Sequence, residues 1–191
     1  MKTNRIAILL GVLALAGLAF AATNYQSGTA SGSTSAELIF SADPVRQMRL
    51  VSVLATSDKS DAVISLRTGT KAFDIAAANT NTSATNIVFA STSGLASNDV
   101  VIIATATTNK SATVWGTSGG TNLLLTAAAG ITWSAGDVLY LLGSATTLPL
   151  GAASKAYAAE ALFVANQGRP LRIVVDGTSA CTIDSAAVKF E

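Results

Sequence analysis

Two stretches of the chain repeat one pattern of polar and apolar positions. Ser97-Asn98-Asp99 opens the run Val100-Val101-Ile102-Ile103, and thirty-eight positions later Ala135-Gly136-Asp137 opens Val138-Leu139-Tyr140-Leu141. In both, a small turn residue precedes an aspartate, whose carboxylate can accept backbone N–H bonds at the turn. A β-branched, leucine or aromatic run suited to a pleated surface then follows. Between the copies, Ala112 to Trp115 and Asn122 to Thr126 read as two further strands joined by the flexible Gly116 to Gly120 loop. The pattern predicts a compact all-β unit.

The flanks carry shorter strand signals. Asn24 to Ala36 is Ser, Thr, Gly and Ala without an apolar period and reads as a flexible or extended leader. Glu37 to Phe40 reads as a short strand that ends near Pro44, which has no N–H for a ladder. Met48 to Ala55 is apolar at nearly every position after Arg49, as expected of a strand covered on both faces. Ala62 to Arg67 alternates, and Gly69 is expected to close a tight turn into Lys71 to Ile75. These segments together predict an antiparallel meander. Ala76 to Thr85 is a polar loop. Lys155 to Ala165 has helix-favouring alanines, but Leu162-Phe163-Val164 and the turn after it favour a strand. Leu171 to Val175 is a strand, and Asp176-Gly177 signals a hairpin into Ala180 to Phe190.

The two flanks have too few apolar faces to close separately, so each needs a partner. The expected fold is an all-β, antiparallel β-sandwich with an inserted small β domain, preceded by an N-terminal apolar helix. Residues 37–80 plus 147–191 form the outer sandwich, 85–143 the inserted domain, and 22–36 the leader. Strands within 48–75 should then pair with strands within 160–190. At the N-terminus, Lys2 and Arg5 precede the fifteen-residue apolar run Ile6 to Phe20, with Ala19-Phe20-Ala21 as an Ala-x-Ala site. Residues 1–21 therefore read as a secretory signal peptide cleaved after Ala21. The competing reading is a retained membrane anchor, although the run falls short of the roughly twenty residues that span a bilayer comfortably.

Composition narrows the chemistry. Half of the 191 residues are hydrophobic, enough for a sizeable core, and only 12% are charged. Lys2 and Arg5 account for two of the twelve basic residues, so the rest of the chain has ten basic against eleven acidic side chains. That balance gives no electrostatic case for nucleic acid. Histidine is absent, which removes the commonest general base and metal ligand. The single Cys181 cannot form an intrachain disulfide and reads as a small buried apolar residue.

No catalytic, cofactor or metal site is expected. Asp99 and Asp137 are better explained by turn geometry than as paired carboxylates or calcium ligands. Asp58 and Asp61 lack the dense carboxylate spacing that hard cations need. A serine nucleophile would need a base, and no Ser-x-x-Lys setting supplies one. The Gly116 to Gly120 loop has no lysine or helix start after it, unlike a phosphate loop. Trp115 and Trp133 are the leading candidates for partner binding, because an aromatic on a β surface stacks on a sugar ring or anchors a protein. The alternative for both is to cap the core of the central unit. Arg46, Arg49 and Arg67, with Lys71 nearby, would bind an acidic partner if they shared a face.

The repeated unit of small-residue turn, Asn or Gly, Asp and hydrophobic strand, with Leu-rich Leu123 to Leu125 before its second copy, resembles β modules of virion-surface and other exported structural proteins. The resemblance covers about fifty residues and implies a non-catalytic role in assembly or attachment. It transfers no functional residues. The sequence thus points to a non-enzymatic exported structural protein, without cofactors, that self-assembles on or decorates an extracellular or virion surface. Its expected partners are further copies of itself or another surface protein. The alternative is a carbohydrate-binding module using an exposed tryptophan. Membrane contact is expected only if the N-terminal helix is retained.

Overall fold

The computed structural model describes residues 24–191, and the expected N-terminal helix at 1–21 lies outside them. Among the described residues there are thirteen strands: β1 (Tyr25–Gly32), β2 (Ser35–Phe40), β3 (Met48–Ser57), β4 (Val63–Asp74), β5 (Asn86–Val88), β6 (Val100–Ala104), β7 (Asn109–Ser118), β8 (Asn122–Leu125), β9 (Val138–Leu142), β10 (Thr146–Pro149), β11 (Ser154–Ala165), β12 (Leu171–Asp176) and β13 (Cys181–Phe190). They form two antiparallel sheets. One has four strands in the order β1-β13-β3-β11. The other has nine, in the order β2-β12-β4-β9-β6-β7-β8-β5, with β10 added on β4.

Two hydrophobic cores follow from the alternation within these strands. The first lies between the four-stranded sheet and the β2-β12-β4 part of the larger one. It is built from Met48, Leu50 and Val53 of β3, Ile64 and Leu66 of β4, Leu171, Ile173 and Val175 of β12, and Ile183 and Val188 of β13. In β3 the inward set changes from even to odd positions, because a register irregularity at Val51 lets Leu50 and Val53 face the same way. The second core gathers Phe73, Ile75, Ile87, Phe89, Val101, Ile103, Val114, Leu123, Trp133 and Leu139. Burying one such Leu, Ile or Phe fully contributes about 1.5–3 kcal/mol. The expected pairing of 48–75 with 160–190 is present, since β3 pairs with β11 and β13, and β4 pairs with β12.

Several local expectations are corrected. The stretch read as a leader contains β1, which pairs with β13 from Tyr25↔Lys189 to Gly32↔Cys181, and the start of β2. Its polar side chains are largely exposed, so a strand held through its backbone leaves no apolar period to read. Gly69 closes no turn. β4 runs straight through it with a register irregularity between Gly69 and Lys71, where its partner changes from β12 to β9. A glycine is needed there because a Cβ would sit 2.9 Å from Pro170 Cδ and 3.3 Å from Tyr140 Cβ. The proposed meander is likewise absent, for β3 and β4 belong to different sheets.

Asp176-Gly177 also makes no hairpin, because β12 and β13 lie in different sheets. Asp176 instead accepts from Val63 N at 3.1 Å and pairs with Lys59, which ties the chain crossing to the β3–β4 connection. The Lys155 to Ala165 segment is a strand, as expected.

Candidate functional site

The repeated Asp turns are built alike. Asp99 Oδ2 accepts from Ala96 N at 2.7 Å, and Asp137 Oδ2 accepts from Ser134 N at the same distance. The residue before each aspartate has positive φ, 69° at Asn98 and 91° at Gly136. Asparagine and glycine tolerate that conformation best. These carboxylates brace turns at opposite ends of the antiparallel β6–β9 pair, so they do not share one site. Among the described residues, no group of three His, Cys, Asp or Glu side chains could hold a metal.

Asp58 carries the densest set of contacts. Its carboxylate accepts from Thr178 N (2.7 Å), Ser179 N (2.8 Å), Ser179 Oγ (2.6 Å) and Ala180 N (3.2 Å). The Ser179 hydroxyl first, then these backbone amides, hold its carboxyl at about 2, below the usual 3.8. Asp58 thereby clamps the β12–β13 crossing from the end of β3. Neither this clamp nor its partners was legible in the sequence, since about 120 residues separate them.

The two tryptophans part company. Trp133 is 4% exposed and belongs to the second core, and its backbone exchanges hydrogen bonds with Asn79 (2.8 and 3.0 Å). Shallow grooves of about 250–260 Å³ lie on either side of it. One is lined by Ala84 and Val88, the other by Thr80, Thr107 and Ser134. With its ring buried, Trp133 offers no stacking face. Trp115 is 65% exposed, on β7 at a register irregularity between Val114 and Gly116, with Val114 turned into the core.

The three arginines do not form one surface. Arg46 pairs with Asp43 (2.8 Å) and lies 4.8 Å over the Phe190 ring, while Arg49 pairs with Glu191 (2.8 Å). Arg67 is in the other sheet, opposite Arg172 in the β4–β12 register. Because Leu50 and Leu66 point into the first core, Arg49 and Arg67 lie on opposite outer sides of it. Lys71 donates to Ser93 O at 2.8 Å and sits 4.7 Å over the Phe73 ring. An acidic partner spanning all of them has no common face to meet.

A polar joint that sequence spacing does not reveal links the two cores. Glu37 on β2 accepts from Arg172 Nε on β12 and from the Ser111 hydroxyl on β7, and Arg172 Nη2 donates to Ser111 Oγ at 3.3 Å. The Glu37 carboxylate pairs with Arg172, which in turn stands opposite Arg67 in the β4–β12 register. Among the described residues, nothing accepts from the buried Nε of Arg67. Cys181 is buried, and burial raises its thiol pKa, in keeping with an inert packing residue.

No protein family and no curated protein matches this chain. Among solved structures, a chain from the VP16-VP17 complex of the two major capsid proteins of bacteriophage P23-77 overlaps it with a TM-score of 0.22. The identity is 11%, covering 87% of this chain and 99% of that one. VP17, a capsid protein of the same phage, overlaps with a TM-score of 0.21 at 11% identity, over 88% of this chain and 98% of that one. Overlaps this small fix neither fold nor role. No helix among the described residues is long and apolar enough to cross a membrane.

Proposed function

We propose that this chain is a non-enzymatic, exported structural protein that self-assembles on or decorates an extracellular or virion surface. In this reading 37–80 plus 147–191 form an outer sandwich, 85–143 an inserted small domain, and 1–21 an export signal or anchor. The observation that carries it is how the carboxylates are used. Asp43, Asp58, Asp99, Asp137 and Asp176 each accept from backbone N–H groups at turns or strand crossings. Groups that an enzyme would direct at a substrate are here committed to holding chain reversals. Light scattering on the size-fractionated protein tests the reading: an assembly of two or more copies supports it, and a strict monomer opposes it.

A second reading, a carbohydrate-binding module, rests on Trp115, whose exposed indole on a β strand is suited to stacking on a sugar ring. Tryptophan fluorescence during polysaccharide titration tests it. A shift lost in Trp115→Ala and kept in Trp115→Phe supports this reading, and no shift removes it.

A further inference from the structure

The four-stranded sheet ends on one side in β11, twelve residues long, and on the other in β1, eight residues long with Gly28 and Gly32 within it. Among the described residues β3 is the only strand paired with β11. Ser57 N donates to Ala153 O at 3.1 Å, and the register continues Ser154↔Thr56, Lys155↔Ala55, Ala156↔Leu54, Tyr157↔Val53. Successive residues of a strand turn their N–H and C=O to opposite sides, so Lys155 and Tyr157 face β3 while Ser154, Ala156 and Ala158 face outward. An unpaired edge of this kind is a template for another strand. Four residues of β11, 159–162, stand out of register against the single Val51 of β3 and confine the regular edge to 154–158, about 17 Å.

We infer that this edge is where two copies of the chain pair, β11 against β11 and antiparallel. The inference rests on the proposed self-assembly and names its contact. Two features select a second copy. Lys155 lies at one end of the edge and Glu160 just beyond the other. Antiparallel self-pairing sets the Lys155 end of each copy beside the Glu160 end of its partner, whereas parallel pairing would stack like charge on like. The exposed side chains between them are Ala156, Ala158 and Ala159, small enough for a strand to approach. Outward-facing residues must meet outward-facing residues, so the twofold axis passes through a residue and not between two. Ala156, Tyr157 and Ala158 are the central positions that satisfy this.

Single substitutions Ala156→Cys, Tyr157→Cys and Ala158→Cys therefore read out both contact and register. The residue on the axis meets its own copy at a Cα separation of about 4.5–5.5 Å, within disulfide reach. Under mild oxidation one of the three is expected to give a covalent dimer far faster than the other two. Buried Cys181 stays reduced as the internal control. Ala156→Pro and Ala158→Pro remove an outward N–H without touching the bonds to β3. They are expected to raise the dissociation constant of the assembly roughly tenfold or more. Ala158→Lys, which leaves the backbone intact and places two like charges near the axis, should weaken it as well and covers a proline variant that fails to fold. If the unmodified protein assembles, yet none of the cysteines cross-links and the proline and lysine variants assemble normally, the edge is not the contact and self-assembly stands on another surface. A monomer at every concentration overturns both the contact and the self-assembly reading.

Discussion

Asp58 shows how much of this fold hangs on single carboxylates. Its pKa in the folded protein is about 2, against 3.8 when free. A group whose pKa is lowered on folding stabilises fully above its unfolded value and loses that contribution as pH falls through its folded one. Asp58→Asn should therefore melt well below the parent at neutral pH, and the gap should close between about pH 4 and 2. Melting curves over that range check it, and a gap independent of pH would deny the carboxylate its role. The tryptophans give a contrast in magnitude. Trp133→Ala should cost roughly 3–5 kcal/mol in urea unfolding, as buried aromatics do. Trp115→Ala should stay within about 0.5 kcal/mol, as exposed positions do. The sequence offered both tryptophans as candidates, with Trp133, in a turn approach, the one expected to be exposed, and the structure reverses that order. What separates them is a contact: the backbone of Trp133 is drawn into pairing with Asn79, more than fifty positions earlier, and no local pattern carries that information.

At the scale of elements, the strands themselves were largely legible, because turn residues bracket their β-branched runs. The Asp99 and Asp137 carboxylates accept backbone N–H bonds as their sequence implies, and the structure adds a positive φ at the residue before each. Partners were less legible. Gly69 and Asp176-Gly177 carry strong turn chemistry, yet in one case the strand continues and in the other it crosses between sheets. Gly69 is retained for closeness to Pro170 and Tyr140, not for a turn, so Gly69→Ala should destabilise by about 1–3 kcal/mol through overpacking. An unchanged denaturation midpoint would mean that the neighbouring ring and proline move aside freely. The leader was misread for a related reason: β1 is held by its backbone ladder, and its Ser, Thr and Gly side chains leave no apolar signature.

At the scale of the whole molecule, β4 carries the chain from one core to the other, and the Glu37–Arg172–Ser111 joint lies where the two meet. Glu37→Gln should cost about 1–3 kcal/mol, since it strips the counter-charge from Arg172, which faces Arg67 in the β4–β12 register. Part of that cost should be recovered in the double variant Glu37→Gln with Arg67→Gln, which removes one of the facing cations. A double-mutant cycle with no coupling would show that Arg67 does not sense the loss of charge at Glu37. No residue of the central stretch from 85 to 143 belongs to the first core. Independence of the two cores is tested most directly by replacing 85–143 with a short linker and following thermal unfolding by near-ultraviolet circular dichroism. The expected result is a cooperative transition with the aromatic signal of a packed outer sandwich retained. A chain without a cooperative transition would contradict the division and show that the two cores fold only as one.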